Sequence, residues 1–335
     1  MSIQTLHFRK FSYSLFALLV ASGFFHIKTV SAQDILLGLS PAIEHHAEGH
    51  INWTSGTLSV TGFGAPPPST IPAVAETMAS RAAIAVARRN LLELVKGVRI
   101  DSETLVENFM LKSDIIQSHV QGLVKNAFIT QKHVLADGNV EVVLSLNMWG
   151  NDSLMANLIP ETAKFSQTLE DASHNETYTG LIIDTRELGV RPAIFPTVTD
   201  DEGQILYDKK TAPHDLVRKM GTVQYFVHAN QSSATMSKNH VFSVSDKPSQ
   251  LTTEKRVGPR PLYIKGIQKT GSLGTDIMVS AADAKKIRQD PTLMNLLRKT
   301  KVIIVIDPLV AGVEGHLKPW NVLPVNFSYP VLPIP

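Results

Sequence analysis

Three histidines near the start of the chain have the residue types of a metal site. His45, His46 and His50 lie close together, and Glu44 and Glu48 flank them. Imidazoles at positions i and i+4 of a helix can bind one zinc ion, because both then lie on the same face. The order of residues differs from HExxH, however, and the glycine before the third histidine is unfavourable in a helix. The pattern therefore favours a solvated arm, with metal binding by these histidines as the alternative.

A glycine pair in the setting of a dinucleotide-binding loop follows soon after. Gly62-Phe63-Gly64 comes after a predicted strand and before a predicted helix. Pro67 occupies the third glycine position, and Pro66-Pro67-Pro68 lacks backbone N–H groups that a phosphate would need. We therefore expect a tight exit from the strand, and no cofactor.

Three aspartates could in principle pair as the acid and the base of a hydrolase, namely Asp184 with Asp200 or Asp201. The last two lie in a predicted turn, where acidic side chains are common because they cap their own backbone. No G-x-S-x-G, Walker A or kinase signature occurs. The chain has no cysteine, which excludes thiol catalysis, disulfides and cysteine zinc sites. The sequence predicts no enzyme and no catalytic residue.

Two sets of residues suit contacts with other proteins. Arg81 and Arg88 lie two turns apart on a predicted helix and so face the same way, and arginine is enriched at interfaces. A solvated face with ion pairs along the helix is the alternative. The C-terminal segment is too apolar for a disordered tail, and its prolines keep it extended. We predict Trp320, Phe327 and Tyr329 as partner-binding residues of a segment that wraps its own domain or docks on a neighbour.

The first 32 residues are expected to be a secretory signal peptide. A basic start, a short apolar run and the small residues of Val30-Ser31-Ala32 follow one another in the order of such a leader. The apolar run is shorter than the ~20 residues of a membrane span, and an uncleaved anchor is the alternative. We find no second apolar run long enough to span a membrane.

The charge balance of the mature chain excludes a class of partner. The leader holds three of the 32 basic residues and none of the 30 acidic ones, so the mature chain would carry 29 basic and 30 acidic residues. This near-neutral balance gives no electrostatic basis for binding nucleic acid.

The clearest element is a helix over residues 72–96. It has abundant alanine and no interior glycine or proline, and Gly97 is placed to end it. Small side chains allow a helix to lie close to a sheet, so we expect this helix to cross one. Its more apolar side carries Val74, Met78, Ala85, Leu92 and Val95.

Strand-like runs and hairpin signals organise the rest of the chain. Asp137-Gly138 lies between two such runs, and Asp200-Asp201-Glu202-Gly203 lies between two others. The pattern predicts an α+β protein with two small mixed domains, each a mostly antiparallel sheet packed by helices, and an extended proline-rich C-terminal segment. The predicted boundaries are a signal peptide at 1–32, a flexible arm at 33–52, a first domain at 53–150, a linker at 151–176, a second domain at 177–308 and a tail at 309–335.

Several blocks of sequence between residues 53 and 307 occur in a characteristic order. They are Trp53-x-x-Gly56, Val60-x-Gly62-x-Gly64, Arg81-Ala82-Ala83, Ala87 to Leu92, Gly97-Val98, Asp137-Gly138, Thr179 to Ala193 and Thr275 to Ala284. This order resembles the bacterial twenty-kilodalton outer-membrane lipoproteins, which are similar to the flagellar accessory proteins FlgP and the N-terminal part of FlgT. The resemblance implies an envelope protein that assembles with others, in some relatives into rings around the flagellar motor, and implies no catalysis. The chain differs from that family in having no lipidated cysteine.

These features together predict a non-enzymatic exported protein of the periplasm or the outer-membrane periphery. It would act in the assembly of a cell-envelope structure, with other envelope proteins and further copies of itself as partners. The alternative is a periplasmic module that binds a small molecule, a metal or a glycan at the histidines or in a cleft between the two domains.

Overall fold

Two β-sheets with helices packed against them form the part of the chain that the computed structural model describes. It covers residues 38–68, 71–158, 177–228 and 255–309, without the side chains of residues 72 and 73. The strands are β1 Leu39–Pro41, β2 Ile43–His45, β3 Gly49–Asn52, β4 Thr57–Gly64, β5 Phe128–Val134, β6 Val140–Asn147, β7 Leu181–Asp184, β8 Val198–Asp200, β9 Ile205–Tyr207, β10 Gln224–His228, β11 Leu262–Thr270, β12 Asp276–Val279 and β13 Val302–Ile306. The helices are α1 Pro72–Lys96, α2 Val106–Lys112, α3 Asp114–Lys125, α4 Leu154–Leu158, α5 His214–Met220, α6 Ala281–Gln289 and α7 Pro291–Arg298.

The α+β class is confirmed, and the first sheet is antiparallel throughout. Its five strands lie in the order β2-β3-β4-β6-β5. The predicted hairpin joins β5 to β6, and Gly138 supplies the positive φ of 80° that its turn requires. Side chains on one face of this sheet, among them Leu58, Val60 and Leu144, are buried.

Helix α1 lies across that buried face at very short range. A Cβ atom placed on Gly62 would lie 2.3 Å from the backbone oxygen of Ala83, and one on Gly64 would lie 2.1 Å from that of Ala79. Strand β4 ends at Gly64, as predicted, but both glycines belong to the strand and lie below the helix, so a tight exit is not what requires them. Their role is to admit the helix backbone.

The buried stripe of α1 consists of its smallest side chains. Ala79, Ala83, Ala87 and Leu91 are fully buried. The predicted apolar side is therefore wrong in its first half, since Val74 and Met78 are exposed. Larger side chains could not fit where the helix and the sheet backbone lie this close.

The second sheet has eight strands in the order β1-β10-β13-β7-β11-β12-β8-β9. The four strands β10, β13, β7 and β11 pair in parallel, so the prediction of a mostly antiparallel sheet is wrong for this half. Every residue of β7 and β13 is buried, as is typical of parallel strands with both faces covered. Helix α5 precedes β10, and α6 and α7 lie in the connection from β12 to β13.

The N-terminal stretch predicted as a flexible arm instead contributes strands to both sheets. Strand β1 pairs with β10 in the eight-stranded sheet, and β2 pairs with β3 in the five-stranded sheet. Ala42, between them, is fully buried and donates its N–H to Thr54 Oγ1, which in turn donates to the backbone oxygen of Tyr225 over 2.5 Å. The arm prediction failed at residues 39–52 because polar side chains in short strands hide the alternating pattern.

The hydrophobic core continues from one sheet to the other. Buried residues such as Leu144, Met155 and Leu181 belong to one connected cluster. The segment predicted as a linker contains α4 near its start. Leu154 and Met155 of this helix are fully buried, so the first part of the segment belongs to the folded core. None of the helices in the described residues has both the length and the apolar character of a membrane span.

Candidate functional site

A buried carboxylate holds the junction between the two sheets. Glu44 of β2 has a side chain that is only 10% exposed. It accepts a hydrogen bond of 2.7 Å from Trp53 Nε1 and another from the guanidinium of Arg99, which follows α1. Burial alone would raise the pKa of Glu44, but the neighbouring imidazole of His46 and the charge and N–H groups of Arg99 outweigh it and hold that pKa well below its usual range.

Arg99 continues this network into the second half of the chain. Its Nε donates to the backbone oxygen of Pro192 over 2.6 Å, and its guanidinium lies 5.6 Å from the centroid of the Trp53 ring. That ring meets Tyr225 of β10 edge to face at 6.0 Å, and the Tyr225 hydroxyl bonds to both the N–H and the oxygen of Ala193. We call Glu44, Trp53, Arg99 and Tyr225 the junction network. Because these groups are paired with one another, the network is structural.

The predicted metal-binding histidines are divided by a hairpin. His45 and His50 face each other on β2 and β3, with ring centroids 5.9 Å apart. His46 lies in the turn, and its Nε2 is 3.7 Å from Glu44 Oε1, too far for a hydrogen bond. No group of three or more potential ligand side chains is placed to hold a metal within the described ranges.

The three aspartates of the hydrolase hypothesis lie apart in the second sheet. Asp184 ends β7, where it pairs with Arg186 through two bonds of 2.8 and 2.6 Å and accepts from the Tyr263 hydroxyl. Asp200 ends β8, three strand positions away, and pairs with Arg288 at 2.6 Å. Asp201 is exposed in the adjoining turn. Strand spacing of about 4.8 Å places Asp184 and Asp200 too far apart to act on one substrate bond.

The predicted arginine contacts lie on the solvent side of α1. Arg81 and Arg88 are both exposed. The guanidinium of Arg88 donates to the backbone oxygen of Lys125 over 2.8 Å, which ties α1 to the end of α3. Trp320, Phe327 and Tyr329, like the signal peptide and the tail beyond residue 309, lie outside the described residues.

A half-open cleft of about 740 Å³ lies between α3, the start of β5, the end of β6 and α4. Side chains of Leu123, Phe128 and Leu146 contribute an apolar part of its lining. The polar part is rich in amides and holds Ser118, His119, Asn126, Asn147, Asp152 and Asn157. The sequence prediction placed a cleft between the two domains, whereas this cleft lies beside the five-stranded sheet alone. Its amides are spread over more than thirty residues of sequence, with no motif to reveal them.

The edges of the two sheets differ sharply. Three of the four edge strands in the described residues, β1, β2 and β9, have only three residues each. Strand β1 ends in a proline, and beside β9 the guanidinium of Arg288 donates to the backbone oxygens of Gln204 and Ile205. The fourth, β5, has seven residues and is exposed along its whole length.

Strand β5 also presents apolar side chains to solvent. Phe128 is 46% exposed, Ile129 50% and Val134 54%. The one lysine of the strand, Lys132, pairs with Glu76 of α1 at 2.7 Å. Natural sheets normally protect such edges because an unpaired strand is a template for another strand. A long, exposed and apolar edge is therefore a candidate surface for a protein contact.

Comparison with known proteins places one part of the chain beside a described family. Residues 180–308 match the family model of the second domain of Treponema pallidum Tp0624. The matched range begins next to β7 and ends just after β13, so it includes neither the cleft nor β5. No curated protein matches the chain significantly. The resemblance to the outer-membrane lipoprotein family stays a prediction.

Proposed function

We propose that this chain is a non-enzymatic exported protein that helps to assemble a cell-envelope structure by pairing with further copies of itself along β5. The observation that carries the proposal is the exposure of all seven residues of this edge strand. The other three described edges are short, and two of them are also protected by a proline or an arginine. Strand β5 is therefore the described edge that is available for β-strand addition.

A second copy of the chain suits this edge better than a strongly charged partner. In an antiparallel pair about a two-fold axis near Gln131, the apolar residues at one end of β5, Phe128 and Ile129, would lie near Val134 of the other copy. The two Lys132 side chains near that axis would repel each other if unpaired. Each is instead neutralised by Glu76 of its own helix α1, at 2.7 Å.

The location and the flagellar part of the proposal rest on the sequence. The leader at 1–32 supports export, and the ordered blocks between residues 53 and 307 support an envelope role, with a ring of the flagellar motor as its most specific form. The apolar tail with Trp320, Phe327 and Tyr329 is the second contact that we propose, as a strap to a neighbouring copy or to another envelope protein.

The size of the mature chain, residues 33–335, tests self-association directly. We expect light scattering after size exclusion to show a concentration-dependent multimer. The double substitution I129K/V134K is expected to yield a monomer, because charges on an edge strand oppose pairing. Ile205→Lys on β9 is the matched control, since Ile205 is 59% exposed on a protected edge, and it should leave the size unchanged.

Two outcomes would contradict the proposal. One is a wild-type chain that stays monomeric up to high micromolar concentration, and the other is an I129K/V134K variant that associates as the wild type does. Unchanged far-ultraviolet circular dichroism would show that the variants are folded. The same measurement on residues 33–308 asks separately whether the tail contributes, because loss of the tail alone should weaken the association of a chain whose β5 is intact.

A further inference from the structure

We infer that the cleft between α3, β6 and α4 binds a short neutral oligosaccharide that carries hydroxyl and acetamido groups. The cleft's volume, about 740 Å³, is within the range of ligand sites in proteins, roughly 300–1,000 Å³. It is open enough on one side for a chain of sugar rings to enter and leave. The cleft is built within one copy, and of the residues proposed for the β5 contact it contains only Phe128.

The polar groups of the cleft select against an anionic ligand, since its lining includes the carboxylate of Asp152. Its lining contains no lysine and no arginine, the side chains that normally recognise phosphate and carboxylate groups. Asn126, Asn147 and Asn157 each carry an amide with two donor hydrogens and an acceptor oxygen. Sugar hydroxyls and acetamido groups likewise donate and accept, so they can satisfy these amides as water does, while a phosphate would only accept.

Part of this lining is fixed in place before a ligand arrives. Asn157 donates from Nδ2 to the backbone oxygen of Ser153 over 2.9 Å. Ser145, which is buried, shares a hydrogen bond of 2.9 Å with Ser59 of the neighbouring strand. Side chains that are already ordered lose little conformational entropy on binding, so such a site is preorganised.

The apolar part of the cleft suits the other faces of a sugar. Phe128 and Leu123 lie beside the amides, and Phe128 is 46% exposed. A pyranose ring has hydroxyls at its rim and C–H groups on its faces, and the C–H face packs against an aromatic ring. A cleft with amides beside an exposed phenyl ring therefore suits a sugar better than a uniformly apolar or a charged ligand.

Calorimetric titration of the mature chain with tetra-N-acetylchitotetraose tests the inference. Cellotetraose, which lacks acetamido groups, and a sugar phosphate form the other two arms. We expect the acetylated sugar to bind, cellotetraose to bind more weakly, and the sugar phosphate not to bind. A soluble fragment of the cell-wall glycan, compared with the acetylated sugar, distinguishes an envelope polymer from other acetylated glycans as the source.

The substitution Asn147→Ala is expected to weaken binding about five- to tenfold, the loss of one or two hydrogen bonds. Asn151→Ala is the matched control, because Asn151 is an exposed asparagine in the turn that follows β6 and does not line the cleft. The inference is overturned if neither sugar binds at millimolar concentration, if the sugar phosphate binds best, or if Asn147→Ala binds as tightly as the control Asn151→Ala. Since I129K/V134K leaves Asn147 in place, failure here and failure of self-association are separable.

Discussion

The junction network and the amide-lined cleft use similar polar chemistry for opposite purposes. In the junction, the carboxylate of Glu44 meets the N–H groups of Trp53 and Arg99 away from water. In the cleft, Asn126 and Asn147 are exposed to solvent. A buried polar group that is paired within the protein stabilises the fold, whereas an ordered polar group that faces solvent is available to a ligand.

The difference also separates stability from function. Removing one partner from a buried ion pair leaves an uncompensated charge, which costs several kcal/mol. Removing an exposed side chain usually changes stability by less than about 0.5 kcal/mol. Substitutions in the junction should therefore act on folding, and substitutions in the cleft or on β5 should act on binding with the fold intact.

The largest effect is expected for Arg99→Ala. This substitution leaves the buried Glu44 with only the more distant guanidinium of Arg191, at 3.8 Å, and leaves the oxygen of Pro192 without its donor, so we expect the free energy of unfolding to fall by about 3 kcal/mol. Urea unfolding of the mature chain measures the loss. Arg88→Ala is the control, because that exposed arginine makes one bond to a backbone oxygen, and its cost should be below about 1 kcal/mol. Equal losses of unfolding free energy for the two variants would contradict the idea that the buried pair of Glu44 and Arg99 stabilises the fold more than an exposed contact does.

A smaller effect is expected for Tyr225→Phe. The substitution keeps the edge-to-face contact with Trp53 but removes the hydroxyl that serves both backbone groups of Ala193. Leaving a buried N–H and a buried oxygen unsatisfied should lower the free energy of unfolding by about 1–3 kcal/mol. Tyr178→Phe, which removes a hydroxyl that accepts from the exposed Lys286, should have little effect in the same urea measurement. A stable Tyr225→Phe variant would mean that water replaces the hydroxyl.

Local signals made a large part of the fold predictable from the sequence. The helix predicted at 72–96 has those bounds in the structure. Helix α3 also has a local start signal, since the Ser113 hydroxyl accepts from the Ile116 N–H as its cap. Both hairpin signals lie between paired strands. In each case the information lies within a few residues, where propensity and turn chemistry act.

The junction and the cleft could not be predicted in this way, because their partners are far apart in sequence. Glu44 is 55 residues from Arg99, and Thr54 is 171 residues from the oxygen of Tyr225 that accepts its hydrogen bond. The strands β1 to β3 are short and carry histidines and acids, so they show no clear alternation and were predicted as an arm. The glycines of β4 were recognisable as special, but only the helix above them explains why.

The smallest effect, and the sharpest test of the junction, is the acid dependence of stability. The pKa of Glu44 in the folded chain is lowered from its ordinary value of 4.5, because the His46 and Arg99 interactions outweigh burial. A lowered folded-state pKa means that the carboxylate stabilises the fold fully above the unfolded pKa, and that this stability is lost as the pH falls towards the folded pKa. One unit below the ordinary value, at roughly pH 3.5, the loss should be about 1.4 kcal/mol.

Urea unfolding of the wild type and of Glu44→Gln at roughly pH 5.5 and pH 3.5 measures this loss. We expect the free energy of unfolding of the wild type to fall by this amount more than that of Glu44→Gln, because the paired acids of the second sheet titrate equally in both proteins. A carboxyl resonance of Glu44 that titrates at an ordinary pKa, or identical acid slopes for the two proteins, would show that solvent reaches this carboxylate and that the junction resembles the cleft more than the core.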